Sequence, residues 1–309
     1  MPSKTDFNVS PYYDDFSKAK KFHRVMYRPA FAVQARELTT QQSIMQDQIE
    51  KFGDHMFEHG AMVIPGEVNV DTRYHAVKLT SFTGTLTNFK DNTLTGGTSG
   101  VVADVVNTSA TDGTDPDTLF VKYRNSGTDN VSNRFTDGET LTSTASSGET
   151  AVVSATVQGS AAHIKEGTYY INGFFVGVTA QTIILDKYSN EPNYRIGLTI
   201  GETFVTSTDD TSLLDNAQGS SNENATGAHR FKITLTLTKL SLTSTADASF
   251  VELFRLKNGK IQNKPFDPNS RTSIEDTLAR RTFDESGNYV VNDFELDIRE
   301  HLLSGTNRG

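Results

Sequence analysis

The stretch from Arg230 to Leu242, RFKITLTLTKLSL, alternates apolar and polar side chains at nearly every position. In an extended strand this alternation gives one apolar face and one face of Thr and Lys. A strand with one buried and one solvated face is typical of an antiparallel sheet. Similar short runs recur from Met62 onward, and two Asn-Gly pairs, at 172–173 and 258–259, have the signature of tight hairpins. The chain is therefore predicted to be mainly β, with an antiparallel β body.

One long N-terminal α-helix is predicted ahead of these strands, between Gln34 and Glu58. Its apolar side chains recur every three or four residues and therefore lie on one stripe. The stripe consists of Ala35, Leu38, Met45, Ile49, Phe52 and Met56. Two interpretations stay open. In the first, the stripe packs on the chain's own β body. In the second, the stripe joins two or three copies of the helix, because its spacing also fits heptads. All of the stripe except Ala35 is a candidate subunit interface.

Composition divides the chain into three predicted domains. Residues 1–83 hold an N-terminal arm, the long helix and the first strands. Residues 84–160 are rich in Thr, Ser, Gly and Asp, and we expect a small β domain inserted between strands that belong together. Residues 161–309 hold the remaining β body with a long loop, and then a short C-terminal helix and a last strand.

The long loop, residues 207–229, is unusual for a compact domain, and loops of this length are commonly functional. It contains an apolar pair, Leu213 and Leu214, among polar neighbours. We interpret this pair either as an anchor into a neighbouring subunit or as packing on the chain's own body. The first interpretation adds Leu213 and Leu214 to the candidate interface.

Composition also excludes several classes of function. The 309 residues contain no Cys, so disulfides, thiol catalysis and Cys-based zinc sites are excluded. The net charge of -9 argues against a nucleic-acid partner, which would require a basic face. No run of eighteen apolar residues is present, so membrane insertion through a helix is not expected.

Few motifs in the sequence suggest catalysis or metal binding. His55-Met56-Phe57-Glu58-His59 matches the H-x-x-E-H pattern of a class of zinc peptidases, but such a site needs a third ligand from a further helix, and only strands follow. His163 and His229 each stand alone. The Asp-rich segment 112–117 lacks the spacing of a calcium-binding loop. The sequence therefore predicts no catalytic residue, no cofactor and no metal site.

Several strings resemble a known family. They are YYDDF at 12–16, YRPAFAVQARELTTQQSIMQDQIEKFGDHMFEHGAMVIPG at 27–66, EGTYYINGFFVGVTAQTIIL at 166–185, KYSNEPNYRIGL at 187–198, SLLDNAQGSSNENATGAHRFKITLTLTK at 212–239 and TLARRTFDESGNYVV at 277–291. Together they resemble virion structural proteins of contractile-tailed phages, especially cyanophages, whose N-terminal region has no assigned function. Many members of that family continue beyond the point that corresponds to Gly309.

The resemblance implies a non-enzymatic protein of the tail or baseplate, an adaptor that attaches fibre or wedge components by protein–protein contacts. The implied partners are other phage tail and baseplate proteins and further copies of this chain, with a trimer favoured. The implied location is the virion, after assembly in the host cytoplasm. A receptor- or glycan-binding tail-fibre protein is the alternative, and a zinc peptidase or polysaccharide depolymerase is the third class.

Overall fold

The structure, a computed structural model, describes residues 5–128, 131–145, 148–245, 248–262, 271–287, 302–304 and 307–308. The chain divides into two compact units, Met1–Ser270 and Arg271–Gly309. The first unit contains the long helix and almost all of the strands. Every strand pairing in the described ranges is antiparallel, so the predicted fold class, mainly β with one long N-terminal helix, is confirmed.

The described residues form two α-helices and sixteen strands. They are α1 Ala35–Met56, β1 Met62–Ile64, β2 Val68–Phe82, β3 Thr93–Gly96, β4 Val102–Ser109, β5 Thr118–Asn125, β6 Thr140–Ser143, β7 Thr150–Ile164, β8 Gly167–Ile171, β9 Phe174–Val178, β10 Gln181–Asp186, β11 Tyr194–Val205, β12 Arg230–Ser241, β13 Phe250–Lys257, β14 Lys260–Gln262, α2 Arg271–Ser286, β15 Leu302–Ser304 and β16 Asn307–Arg308.

Six of these strands close into a small antiparallel barrel. The order β7-β2-β5-β4-β3-β6 returns to its start because β6 also pairs with β7. The long strands β2 and β7 pair from Val68 opposite Ile164 to Phe82 opposite Ala151. The barrel interior is apolar and includes Phe89, Leu94, Leu119 and Leu141, each fully buried.

The barrel corresponds largely to the predicted insertion at 84–160, but its core also uses residues that precede that range. Val77 and Leu79 of β2 belong to the same buried cluster as Val153 of β7. The long strands therefore belong both to the barrel and to the rest of the first unit. That this region folds as a separate domain stays a prediction.

A second core lies beneath two further sheets, β12-β11-β13-β14 and β1-β8-β9. In β12 the predicted alternation holds, since Leu235 and Leu237 are buried while Thr234 and Thr236 are exposed. The predicted Asn-Gly hairpins connect β8 to β9 and β13 to β14. Both residues of each pair have positive φ, for example 50° at Asn172 and 87° at Gly173, as a tight hairpin turn of this class requires.

Helix α1 begins where a capping interaction forms and ends earlier than predicted. The backbone N–H of Gln34 donates to the side chain of Glu37 at 2.9 Å, which satisfies a donor at the helix start. The last helical residue is Met56, two residues before the predicted end at Glu58. None of the helices in the described ranges is both long and apolar enough to cross a membrane.

The second unit contains α2, at the position of the predicted short helix, and the short hairpin β15–β16. The strand predicted at 288–301 lies outside the described residues.

Candidate interaction surface

The side of α1 that faces the body is mostly polar. Its buried residues are Thr40, Ile44, Asp47, Glu50 and Gly53. Buried polar side chains are tolerated only when they are hydrogen-bonded or paired, and an N-terminal arm, residues 5–34, supplies much of that pairing. The helix is therefore attached to the body through specific polar contacts.

Asp14 of the arm makes the first of these contacts. The hydroxyl of Thr40 donates to its Oδ1 at 2.9 Å, and the hydroxyl of Ser43 donates to its Oδ2. The backbone N–H of Phe16 donates to the same carboxylate at 3.2 Å. Asp14 is buried, and three donors satisfy it.

Lys18 of the arm makes the second contact. Its Nζ lies 3.1 Å from Glu50 Oε1 and 3.2 Å from Asp47 Oδ1, and Lys51 of the helix lies 2.6 Å from Asp47 Oδ2. Burial tends to raise the pKa of Asp47, but the hydrogen bonds from Lys51 and Lys18 outweigh it, so this pKa lies below its ordinary value. Burial likewise tends to lower the pKa of Lys18, and its bonds to Glu50 and Asp47 reverse that effect, so the pKa is raised. Both groups are therefore charged near neutral pH.

The hairpin β8–β9 makes the third contact with α1. The hydroxyl of Tyr170 donates to the backbone carbonyl of Glu50 at 2.9 Å and lies 2.9 Å from Asp54 Oδ1. The side-chain amide of Gln46 donates to the carbonyl of Gly173 at 2.7 Å. The arm and this hairpin together hold one defined face of the helix against the body.

The predicted apolar stripe lies on the opposite side of α1 and is exposed. The exposed fraction is 52% at Leu38, 60% at Met45, 45% at Ile49 and 67% at Phe52, and only Met56, in the last turn, is half-buried. The interpretation that the stripe packs on the chain's own β body is therefore wrong. The polar contacts described above occupy the face that this interpretation assigned to the stripe.

The flanks of the stripe are uncharged in heptad register. Positions 35, 42, 49 and 56 form one row and 38, 45 and 52 the other, so the flanking rows are Thr39, Gln46 and Gly53 on one side and Gln41, Gln48 and His55 on the other. Like charges facing each other across such an interface would destabilise it. The stripe therefore presents no carboxylate or ammonium group that would repel an identical helix near neutral pH.

The arm extends the apolar surface on one side of the helix. Its segment from Phe22 to Val33 contacts α1, where the hydroxyl of Tyr27 donates to Gln41 at 2.7 Å. Several of its apolar side chains remain exposed, including Met26 at 81% and Phe31 at 62%. Exposed apolar side chains on neighbouring elements are typical of interaction sites in proteins.

Leu213 and Leu214 lie elsewhere, in the loop between β11 and β12, and each is half-buried. The loop folds on itself: Leu214 bridges to Thr226, and the backbone N–H of Asp215 donates to the carbonyl of Ala225 at 2.9 Å. The predicted interface residues thus form one exposed group on α1 and a separate pair that is partly covered in its loop.

A cleft of about 430 Å³ lies beside α1, on the side of Gln46. Its polar wall comes from the helix, from Asp14 and Lys18 of the arm and from Asn172. Its other wall is a group of aromatic side chains from the arm, from β9, β11 and β12, and from the residue that precedes β12. That group is Phe7, Tyr12, Phe174, Phe204, His229 and Phe231. No local sequence pattern connects these residues, because the arm and strands that carry them are far apart in the chain. The YYDDF and NGFF strings, noted only as resemblances, contain Tyr12 and Phe174.

The residues of the H-x-x-E-H pattern do not share a helix face. His55 is in the last turn of α1, whereas Glu58 and His59 follow its end, and His59 lies at the backbone N–H of Asn172. Within the described ranges no three potential His, Asp or Glu ligands cluster closely enough to hold a metal ion.

Comparison with known families shows that the chain matches the family described as Domain of unknown function (DUF4815). Two matched segments, residues 10–133 and 128–307, together cover the arm from residue 10 onward, α1, the barrel and the β body. The chain belongs to this family. The matched DUF4815 segments include the exposed stripe and most of the residues that line the cleft, whereas Thr5 and Phe7 precede them. Neither a curated protein nor a solved structure matches the chain significantly.

Proposed function

We propose that the protein is a structural component of a contractile phage tail or baseplate, an adaptor that attaches fibre or wedge components by protein–protein contacts. Its role is not enzymatic. It is made in the host cytoplasm and acts in the virion. Copies of the chain associate through the stripe of α1, most favourably as a trimer.

The observation that carries the proposal is the orientation of α1. Its polar face is fixed to the body by Asp14, Lys18 and Tyr170, while the apolar heptad rows face away from it. Helices held in this way can meet at a common axis with each body on the outside. The occupant of the stripe is therefore a second and third copy of the same helix, since the heptad rows are complementary to themselves and their flanks are uncharged.

The free energy gained by burying the stripe is too small to hold copies of the chain together without further contacts. Fully burying a large apolar side chain is worth about 1.5–3 kcal/mol, so burying the exposed half of four of them gives about 4 kcal/mol per chain. Association costs about 4–15 kcal/mol in lost translational and rotational freedom. Further contacts are required, and the exposed Met26 and Phe31 of the arm are available for them. An assembly adaptor is expected to behave in this way, since it associates stably only together with neighbouring components.

The resemblance of the strings at 27–66 and 212–239 to phage virion proteins supports the location. The test is immunogold labelling of intact phage particles whose genome encodes this chain, with an antibody raised against the purified protein. We expect labels at the tail or baseplate. Particles that lack the chain, shown by mass spectrometry of the purified virion, would refute the proposal.

A further inference from the structure

The cleft beside α1 has two chemically different walls. The aromatic wall is a packed group in which Phe7 and Phe231 have ring centroids 5.0 Å apart and Tyr12 and Phe204 have centroids 4.9 Å apart. Phe204 remains 36% exposed. The facing wall, formed by α1 and the turn at Asn172, presents hydroxyl, amide and carboxylate groups. A ligand that fits between them has one apolar face and an edge of hydrogen-bonding groups.

The carboxylates of the polar wall are already paired within the protein, although Asp47 Oδ1 contacts Lys18 only as an ion pair, without a hydrogen bond. Asp47 and Glu50 both pair with Lys18, and Asp14 accepts hydrogen bonds from Thr40, Ser43 and Phe16. A cationic ligand would have to displace Lys18 from its partners. An anionic ligand would meet three carboxylates against one ammonium group. The charges of the cleft therefore favour a neutral ligand.

Side-chain amides supply the groups of the polar wall that can still form hydrogen bonds with a ligand. The side-chain amide nitrogen of Gln46 donates to the carbonyl of Gly173, and that of Asn172 donates to the carboxylate of Glu202. The side-chain oxygens of Gln46 and Asn172 accept no hydrogen bond from the described part of the chain. Gln42 lines the same wall, and its side chain makes no hydrogen bond to the described residues. Amides both donate and accept, and so do the hydroxyl groups of a sugar.

We propose that this cleft is a binding site for a neutral saccharide of one or two residues. The apolar face of a pyranose ring packs on the wall of Phe204 and Tyr12, and its hydroxyl groups bond to Gln42, Gln46 and Asn172. The volume of about 430 Å³ lies within the usual range of small-ligand pockets. This function is additional to the adaptor role, because none of the apolar side chains of the stripe lines the cleft, and Gln42 alone of the heptad positions does so.

The test measures binding to the full chain by saturation-transfer NMR and isothermal calorimetry. The neutral probes are D-glucose, D-galactose, N-acetyl-D-glucosamine and their β-linked disaccharides. Choline chloride and sodium glucuronate are the cationic and anionic comparators. We expect saturable binding of at least one neutral sugar, with Kd on the order of 1 mM as for other small ligands of this size. Binding of choline or glucuronate alone, or of no probe, would overturn the proposal.

Variants locate the site. Phe204→Ala should weaken binding about tenfold, since one aromatic contact of this kind is worth about that factor, whereas Phe204→Tyr keeps the ring and should stay within about threefold. The matched control is Phe283→Ala, since Phe283 is 55% exposed on α2 and does not line the cleft. An equal loss in Phe283→Ala would place the sugar elsewhere and overturn the assignment.

A further variant separates this site from the proposed oligomer. Gln42 lines the cleft and also occupies a heptad position of the stripe. Gln42→Leu should weaken sugar binding severalfold because an amide is lost, yet it should strengthen self-association because an apolar side chain is gained. Unchanged sugar affinity in a folded Gln42→Leu protein would contradict the role of the polar wall.

Discussion

The ring of Tyr170 lies directly against Gly53 of α1, so close that a Cβ on Gly53 would be 2.5 Å from the ring. The ring is almost fully buried, and its hydroxyl is bonded to Glu50 and Asp54, so it has no room to move aside. This contact fixes how near the helix lies to the β8–β9 hairpin. It thereby determines that the polar face is covered and the apolar stripe is not.

Gly53→Ala is therefore expected to destabilise the protein. Ala normally stabilises a helix by about 0.5–1 kcal/mol relative to Gly, but overpacking against a fixed ring costs about 1–3 kcal/mol and prevails here. Urea unfolding measures the change. The control is Gly177→Ala on β9, where a Cβ would meet nothing within 4 Å. If Gly53→Ala is as stable as the control, Tyr170 does not set the position of the helix.

The pairing of Asp47 predicts a pH dependence. Its pKa in the folded protein lies below the ordinary value of 3.8, so the unfolded chain binds the proton more readily. The stability that Asp47 contributes is therefore fully present above pH 3.8 and is lost as the pH falls through its folded pKa. The difference in unfolding free energy between wild type and Asp47→Asn should shrink in that acidic window.

The control for this prediction is Glu67→Gln. Glu67 also pairs with a lysine, Lys165, and its pKa is also lowered, but the pair is on the surface. Surface ion pairs contribute little to stability. Asp47→Asn should thus be the more destabilising variant at neutral pH, and equal effects of the two would show that Lys18 does not anchor the arm to the helix.

We expect that the barrel can be deleted without unfolding the rest of the first unit if the deletion joins two residues that are paired where β2 ends and β7 begins. The backbone N–H of Thr83 donates to the carbonyl of Thr150 at 2.9 Å, and the N–H of Thr150 donates to the Thr83 hydroxyl at 2.8 Å. We expect a protein in which an Asn-Gly turn replaces residues 84–149 to stay folded by circular dichroism. Barrel-core side chains left on the two strands are changed to Thr so that no apolar surface is exposed. An unfolded product would show that the barrel is not a separate domain.

The loop at 207–229 gives a prediction for hydrogen exchange. In the isolated protein the amide of Asp215 should be protected by its bond to Ala225, while the tip around Ser220 and Ser221 should exchange rapidly. In the assembled particle the tip should become protected if Leu213 and Leu214 help to anchor a neighbour. Equal, strong protection of the tip in both states would contradict an anchoring role.

Much of the fold follows from local sequence signals. Alternation in 230–242 predicts a half-buried strand, and the Asn-Gly pairs predict hairpins, because these features depend on neighbouring residues. The closure of the barrel depends on contacts between strands far apart in the chain, such as Val68 with Ile164, which no local pattern specifies. The sequence therefore predicted a Thr-rich β region but not the shared strands β2 and β7.

The helix shows the same division between local and long-range information. Periodicity correctly predicted the stripe but did not indicate which face the body covers. The covered face is decided by Asp14, Lys18 and Tyr170, the first two at least twenty-five residues away from their helix partners and the third more than a hundred away. The aromatic wall of the cleft was missed for the same reason, since Phe7 and Phe231 meet only in the folded chain.

Multi-angle light scattering on wild type and on Met45→Glu/Ile49→Glu shows whether the exposed stripe joins copies of this chain. Both side chains are exposed in the single chain, so the double variant should remain folded, with a melting temperature near that of wild type. The control is Ile261→Glu on β14, where Ile261 is 59% exposed and outside the stripe. We expect an oligomer, most favourably a trimer, for wild type and for Ile261→Glu, and a folded monomer for the double variant. A wild type that is monomeric at high concentration and in the particle, or an oligomer that the two charges leave intact, would contradict it.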